Sequence, residues 1–341
     1  MAKYNILLCS DLGDTQSWGI SAIGNAEGFI RNDQNLAIWL KEHYGSVPKY
    51  LVDYIHRIHK FEIVINQGLP TQMFFLKKVY DGIYRVTLNC WDSSLISKEA
   101  ADGINSVADA SICLSKFTEK AFRDAGVTIP IHVGGQGIDP NLFRYVNRPE
   151  RDKFRFLFVG VAQGRKGTSE LRYVFEDVLG DRDDCELWIK STGWGKLPTE
   201  SKCKNVKFIH QEYSRAQIAQ LYWDADCFVC PTHGDSFMLP GLEAMATGLP
   251  LIITDFGGPK EYLSEKTGYA IKYKEVDAGY LPGKQAEPDK EHLGYLLKYV
   301  LEHRDEARKK GDYGAEWARE YWSWQDDAKR IVEFFDSQIQ R

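Results

Sequence analysis

The chain has 341 residues, of which 43% are hydrophobic, and its formal net charge at pH 7 is −5. This length suits two domains with large cores, and the negative charge argues against a general nucleic-acid-binding protein. Seven scattered cysteines, no apolar run near about 18 residues and no signal-peptide pattern predict a cytoplasmic protein without a disulfide framework or a transmembrane segment.

The first stretch of the chain predicts a strand, a loop and a helix. Tyr4–Ser10 is a compact apolar run, and Asp11–Gly28 is rich in Gly, Ser, Asp and Asn. Phe29–Tyr44 has apolar residues at helical spacing, which favours a helix. Because ligands bind beyond the carboxyl ends of strands in open α/β sheets, the loop is well placed for a site.

Further strands follow in the first half of the chain. Phe61–Asn66, Tyr84–Asn89 and Ala108–Leu114 are apolar runs of strand length, and Ser115 is a candidate N-cap for the next helix. Arg144–Lys153 is charged and contains a proline, which is typical of a linker between domains.

The second half opens with a strand and a basic loop. Phe154–Gly160 predicts the strand, and Arg165 and Lys166 follow it between two glycines. Glu186–Lys190 and Asn205–His210 predict the next two strands. A lysine at a strand end is suited to binding an anion, whereas a solvated turn is the alternative.

The segment that organises this half reads strand, polar loop, short helix and strand. Cys227–Cys230 and Leu251–Thr254 are the strands, and Pro240 suits the start of the helix between them. The free N–H groups and dipole at the start of such a helix favour an anion. Asp235 and Glu243 lie beside that position, where carboxylates are unfavourable unless they accept from groups such as sugar hydroxyls. A phosphate flanked by hydroxylated rings is therefore the predicted ligand.

The same segment carries a family resemblance. D-S-F-M-L-P-G-L-E-A-M-A-T-G-L-P, from Asp235 to Pro250, resembles the frame E-G-F-G-L-P-x-L-E-A-M-A-x-G-x-P. That frame is the signature of the group 1 glycosyltransferases, the retaining, nucleotide-sugar-dependent family of glycogen synthase-like and lipopolysaccharide mannosyl- and glucosyltransferases. Asp235 stands where the family has Glu, and Met238 stands where it has Gly.

The resemblance implies an α/β fold of the GT-B type, with two Rossmann-like domains facing across a cleft. Residues 1–146 would form the acceptor domain and residues 147–320 the nucleotide-sugar donor domain. Residues 321–341 would form a crossover helix that packs back on the first domain.

The resemblance also implies roles for individual residues. The expected catalytic residues are Asp235, which would face the transferred sugar, Lys166 and Asp92. Residues expected to bind the donor are Glu243 on the ribose hydroxyls, Lys166 and Arg165 on the diphosphate, the backbone near Phe237, Met238 and Leu239, and the glycines Gly160 and Gly13.

Two further positions, Val161 and Trp91, depart from the family pattern. Val161 stands where a phosphate-binding Arg is usual, and Arg165 is the candidate that would compensate. Trp91 and Asp92 stand where His-Asp is usual. They are candidates for stacking on a sugar face and for binding a hydroxyl, with a core residue and a helix cap as the alternatives.

The activity implied is transfer of a hexose-type sugar, with retention, from a UDP- or GDP-linked donor to an acceptor hydroxyl. No metal and no cofactor besides this co-substrate are expected, and no stable nucleic-acid partner. The acceptor is open among a glycan, a lipid-linked sugar, a protein and a modified base. The departures from the pattern leave one alternative, a non-catalytic nucleotide-sugar-binding protein of the same fold.

Overall fold

A computed structural model describes residues 3–43, 45–55, 60–72, 83–162, 164–191 and 201–339. The chain forms two compact units, each assembled from separate segments. Unit 1 consists of Met1–Asp139, Ala278–Lys284 and Tyr321–Arg341, and unit 2 consists of Pro140–Asp277 and Gln285–Glu320. The terminal residues 1, 2, 340 and 341 themselves lie outside the described ranges.

Strands and helices alternate along most of the described chain. The strands are β1 (Asn5–Leu12), β2 (Asn35–His43), β3 (Ile63–Gln67), β4 (Tyr84–Asn89), β5 (Ala110–Cys113), β6 (Ile131–Val133), β7 (Phe154–Val159), β8 (Cys185–Lys190), β9 (Val206–Ile209), β10 (Cys227–Cys230), β11 (Leu251–Thr254), β12 (Gly268–Ile271), β13 (Tyr273–Asp277) and β14 (Lys284–Pro288). The α-helices are α1 (Ser17–Arg31), α2 (Lys49–Val52), α3 (Lys98–Val107), α4 (Lys116–Asp124), α5 (Thr168–Leu179), α6 (Arg215–Asp224), α7 (Leu239–Ala246), α8 (Lys290–Glu302), α9 (Arg304–Tyr321) and α10 (Trp324–Gln338).

Unit 1 is built on a parallel sheet of six strands in the order β2-β1-β3-β4-β5-β6. The C-terminal helix α10 packs on α1 within this unit. A Cβ atom on Gly24 of α1 would lie 2.2 Å from the Trp324 ring, so this close packing requires glycine. Ile138 donates its N–H to the carbonyl of Trp322 (2.7 Å), and Gly135 donates its N–H to the Asp327 carboxylate (2.7 Å).

The predicted helix over Phe29–Tyr44 is wrong, as is the loop predicted before it. Helix α1 ends at Arg31, and Asn35–His43 is strand β2; Tyr44 lies outside the described residues. Strand β2 pairs in parallel with β1 and buries consecutive residues, so its apolar run carries no period-2 signal. Helix α1 buries mainly small residues against α10, and such a face carries little apolar periodicity.

Unit 2 contains a second parallel sheet of six strands, in the order β12-β11-β10-β7-β8-β9. Strands β7 and β10 are its central pair. The loops that leave their carboxyl ends begin at Gly160 and Pro231, and the loop after β8 begins at Ser191. These loops therefore leave the sheet at one edge, where an open α/β sheet binds its ligands.

Within the described ranges, no helix combines the length and the apolar composition needed to cross a bilayer.

Candidate functional site

The basic loop after β7 is held against the loop after β10 by a glycine. Gly164–Lys166 forms one turn of 3-10 helix, and Gly167 has a φ of 66°. A Cβ atom on Gly167 would lie 2.0 Å from the carbonyl oxygen of Pro231, so only glycine fits. This close approach brings Arg165 and Lys166 to the polar loop that contains Asp235.

Both basic side chains contact the Asp235 carboxylate. The ammonium of Lys166 is hydrogen-bonded to Asp235 Oδ2, and Arg165 Nη1 lies 3.6 Å from the same oxygen. Asp235 is buried, which by itself would raise its pKa, but the charges of Lys166 and Arg165 hold its pKa below the ordinary value. The three side chains therefore form an ion cluster at the carboxyl edge of the sheet, in which Asp235 is buried and the two basic side chains are partly exposed.

The other Asp235 oxygen caps the start of helix α7. Asp235 Oδ1 accepts from the N–H of Met238 (2.9 Å) and from that of Phe237 (3.2 Å). Two of the backbone N–H groups expected to bind phosphate therefore bind the Asp235 carboxylate in this conformation. The side chains of Phe237, Met238 and Leu239 are buried.

Met238 adopts a backbone conformation that favours glycine. Its φ is 66° and its ψ is 70°, in the left-handed region, at the position where the resembling family has Gly. Met238 also lies just before helix α7, as its N-cap residue. The sequence departs from the pattern here, yet the backbone keeps the shape that glycine would adopt.

Two glycines in the loop after β11 support the loop that contains Asp235. Gly258 donates its N–H to the carbonyl of Asp235 (2.7 Å), and a Cβ atom there would lie 1.9 Å from the Ser236 carbonyl oxygen. Gly257 has a φ of 83°. The two loops thus pack backbone against backbone, which fixes Asp235 in place.

Glu243 is buried further along α7 and has its own partners. Its side chain is 3% exposed and is paired with Arg215, and its second oxygen accepts from the Tyr222 hydroxyl (3.0 Å). The Arg215 guanidinium lies over the Phe143 ring, 4.8 Å from the centroid. A ribose could share this carboxylate only through its remaining lone pairs.

The other predicted residues divide between the two units. Gly160 lies in unit 2, at the end of β7, and its N–H donates to the carbonyl of Lys190 (3.1 Å). Gly13 and Asp92 lie in unit 1, and Asp92 is half-buried. Trp91 is 8% exposed and donates its indole N–H to the Leu95 carbonyl (2.7 Å), so its ring belongs to the core.

Two notable side chains carried no signal in the sequence. Lys190 ends β8 and is 2% exposed. Arg148 lies in the segment interpreted as a linker, yet its guanidinium donates to carbonyls at the carboxyl ends of α6 and α7. A charged residue in a polar segment, or at the end of a strand beside a polar loop, is ordinarily solvated, so these two roles are visible only in three dimensions.

Among the described residues, no three His, Cys, Asp or Glu side chains are grouped as ligands of a metal ion would be.

Comparison with known proteins identifies the family of unit 2. Residues 153–279, which include the basic loop, Asp235 and Glu243, match the family model described as glycosyl transferases group 1. Residues 153–279 are a group 1 glycosyltransferase domain. The predicted family is thereby confirmed.

Individual relatives agree with this assignment. The MMP alpha-(1->4)-mannosyltransferase of Mycolicibacterium hassiacum is 26% identical over 218 residues, covering 62% of this chain and 49% of the relative. The chain spans about half the length of the curated relatives it matches.

Solved structures match the whole fold. Sucrose-phosphate synthase from Thermosynechococcus elongatus superposes with a TM-score of 0.72 at 16% identity, over 97% of this chain and 98% of that one. HepE of Anabaena, solved in complex with UDP-glucose, has a TM-score of 0.72 at 14% identity, over 97% and 99% of the two chains. The predicted α/β fold of the GT-B type is confirmed by these matches and by the two parallel sheets.

Proposed function

We propose that the chain is a retaining glycosyltransferase, which moves a hexose-type sugar from a nucleotide diphosphate sugar to an acceptor hydroxyl without a divalent metal. The observation that carries this proposal is the meeting of Arg165, Lys166, Asp235 and the start of helix α7 at one edge of a parallel sheet. The mannosyltransferase among the relatives and the UDP-glucose complex among the fold neighbours support it.

In this proposal Lys166 and Arg165 bind the donor diphosphate. A diphosphate carries more charge than a single carboxylate, and charge-assisted bonds to phosphate are stronger than neutral ones. It would therefore replace Asp235 Oδ2 as the acceptor for Lys166. The freed oxygen would then accept a hydroxyl of the transferred sugar, while Oδ1 keeps its two backbone N–H donors.

The chemical step is proposed from the resemblance to retaining members of the family. The acceptor oxygen forms a bond to the anomeric carbon on the face from which the diphosphate leaves. The bond from that carbon to the phosphate oxygen breaks, and the acceptor proton passes to the departing diphosphate. The contribution of the protein is to position both substrates and to stabilise the developing negative charge with Lys166 and Arg165.

Two further donor contacts belong to the proposal. Glu243 would accept ribose hydroxyls while it remains paired with Arg215, and Gly160 would let the backbone approach the donor. In unit 1, Asp92 would bind a hydroxyl of a sugar or of the acceptor, and Gly13 would let the backbone approach a phosphate. A UDP- or GDP-linked sugar is the proposed co-substrate.

A non-catalytic sugar-nucleotide-binding protein is the second candidate. The indole of Trp91 is buried in the core, so it does not take the place of the usual His, and Val161 cannot bind phosphate. Binding of the donor without transfer is the outcome that this candidate predicts.

The test is a transfer assay in excess chelator. UDP- and GDP-linked hexoses are incubated with glycan and glycolipid acceptors, and release of nucleoside diphosphate is measured together with the anomeric configuration of the product by NMR. Retained activity with retained configuration supports the proposal. Loss of activity in chelator with rescue by Mn²⁺ contradicts metal independence, an inverted product contradicts retention, and donor binding without any product favours the second candidate.

A matched pair of variants ties the activity to this site. Lys166→Ala should lower kcat/KM at least tenfold, because one charged contact to the diphosphate is removed. Lys298→Ala, which changes an exposed lysine on α8, should leave it within twofold.

A further inference from the structure

The turn between strands β13 and β14 belongs to unit 1. Ala278–Lys284 is one of the three segments that make up this unit. The turn is closed by its own backbone, because Ala278 donates its N–H to the Gly283 carbonyl (3.1 Å) and Leu281 donates its N–H to the Ala278 carbonyl (3.3 Å). Gly283 has a φ of 83°, in the left-handed region that favours glycine. The backbone on either side of Tyr280 is therefore fixed.

The loop that follows β4 anchors this turn. Ser93 donates its hydroxyl to the Pro282 carbonyl (2.6 Å). Ser94 donates its N–H to the Lys284 carbonyl (3.0 Å) and accepts the Lys284 N–H at its Oγ atom (2.8 Å). Leu281 packs against the hydrophobic core of unit 1. The turn is thus bonded to the loop by three hydrogen bonds and one apolar contact.

Tyr280 projects from this anchored turn into solvent. It is 90% exposed, and among the described residues the next most exposed tyrosine, Tyr173, is 63% exposed. Single exposed apolar side chains are common on protein surfaces, so exposure alone assigns no role. Here the residues on both sides of Tyr280 are held, so the ring is presented at a defined place. A tyrosine has only two χ angles, so little entropy is lost when a ligand covers such a ring.

The turn lies at the carboxyl edge of the unit 1 sheet. The loop that anchors it leaves the carboxyl end of β4 and carries Asp92 directly before Ser93. The loop after the neighbouring strand β3 exposes Leu69 (41%), and Asn89 Nδ2 donates to the Gly68 carbonyl (2.7 Å), which ties the two loops together. A carboxylate, an exposed apolar side chain and an exposed aromatic ring are therefore carried by neighbouring segments at the edge where an open α/β sheet binds ligands.

This combination of groups suits a sugar ring. A pyranose has an apolar face of C–H groups, which packs on the negative face of an aromatic ring, and a rim of hydroxyls, which donate to carboxylates. A phosphate at this place would be repelled by the Asp92 carboxylate. Trp91, the residue expected to stack on a sugar, is buried in the core, whereas Tyr280 supplies an exposed ring beside the same loop.

We propose that Tyr280 stacks on a sugar ring of the acceptor, so that the acceptor is a glycan. Asp92 accepts a hydroxyl of the bound glycan, and Tyr280 acts as a binding residue that takes no part in the chemical step. This role rests on the proposed function, because it names the class of acceptor that the transferase uses.

The test is a glycan microarray probed with the full chain at a series of concentrations. The parent should bind a subset of the glycans, and the Kd for these should rise about fivefold or more in Tyr280→Ala, because the stacking surface is lost. It should stay within twofold in Tyr280→Phe, which keeps the ring. Tyr295→Ala is the matched control: Tyr295 is 57% exposed on α8 of unit 2, and its loss should leave the glycan affinities within twofold.

Two further measurements use the same proteins. Titration calorimetry with UDP and GDP reports the donor site, and the Tyr280 variants should bind these nucleotides within twofold of the parent because the altered side chain is exposed. A transfer RNA is the probe for a nucleic-acid base, which could also stack on an aromatic ring.

The outcomes distinguish the role of Tyr280 from the function on which it rests. A parent that binds UDP or GDP but no glycan, or a Tyr280→Ala variant whose glycan affinities stay within twofold of the parent, overturns the stacking role and leaves the nucleotide site intact. Equal losses in Tyr280→Ala and Tyr295→Ala also overturn it, as does binding of the transfer RNA through Tyr280 in place of glycans. Binding of neither nucleotide by the parent overturns the proposed function.

Discussion

Replacement of Arg148 by Met should destabilise unit 2. The Arg148 guanidinium donates to four carbonyls that end two helices: Ala225 (2.8 Å), Thr247 (2.9 Å), Gly248 (3.1 Å) and Tyr222 (3.2 Å). Burial lowers the pKa of Arg148 to about 10, so the guanidinium stays charged at neutral pH. Its positive charge lies at the negative ends of both helix dipoles, which is a favourable position. Met fills similar space but donates no hydrogen bond.

The size of the effect follows from the surroundings of Arg148. The Arg148 side chain is half-buried and lines a cavity of about 310 Å³. In the Met variant, water can therefore reach some of the four carbonyls that lose the guanidinium. Hydrogen bonds that involve a charged group contribute about 1.5–3 kcal/mol each, net of the bonds to water that they replace. With most of the four replaced by water, we expect a loss of about 3 kcal/mol, which is about 6–12 °C in Tm for a unit of this size.

The assay is thermal unfolding followed by circular dichroism, with Arg144→Met as control. Arg144 lies four residues earlier on the same segment, is exposed, and covers the Trp223 ring at 5.2 Å. Its loss should cost below about 1 kcal/mol. Arg148→Met with a Tm within 1 °C of the control would refute the reasoning, and full recovery in Arg148→Lys would assign the effect to charge rather than to the planar set of donors.

Four more predictions concern side chains of unit 2. Met238→Gly should be more stable than Met238→Ala by about 1 kcal/mol, the reverse of the usual order, because the φ of 66° suits glycine. If denaturation instead finds the Ala variant more stable, the backbone at residue 238 is not strained. Glu243→Ala should lower stability and raise the Kd of the nucleoside diphosphate at least tenfold; an unchanged Kd in a folded variant would make its role structural. Arg165→Ala should match Lys166→Ala in lowering kcat/KM about tenfold or more, since both side chains reach one carboxylate; a twofold change would leave Lys166 to act without Arg165. Burial lowers the pKa of Lys190 from 10.5 to about 8, so between those values the unfolded chain binds more protons and stability rises with pH. Lys190→Met should therefore exceed the parent by up to about 3 kcal/mol at pH 7 and lose that advantage by about pH 10.5; a gap that is independent of pH contradicts this.

The sequence predicted best where strands are short and bounded by loops. Cys227–Cys230 and Leu251–Thr254 were predicted to the residue, because an apolar run of four between polar loops and a proline leaves little choice. Strand β2 was predicted as a helix, since a strand buried on both faces and a helix buried all round give similar apolar runs.

Within the candidate site, the sequence indicated residue types but not pairings. Arg165 and Lys166 follow a strand, and neighbouring side chains in extended backbone point to opposite sides. The 3-10 turn and the glycine after it direct both toward Asp235 instead. Arg215, the partner of Glu243, is one of many polar residues along its helix, so only the packing of α6 against α7 identifies it.

Under the proposed function, the Asp235 carboxylate competes with the donor diphosphate for Lys166. A carboxylate tethered a few ångströms from the cation acts at a high effective concentration, which dilute acetate or chloride in solution cannot match. A ligand must therefore engage Lys166, Arg165 and further groups together before it displaces the internal anion. Donor binding would then exchange one anion, the Asp235 carboxylate, for another, the diphosphate. Monovalent salts should therefore compete with the donor only weakly.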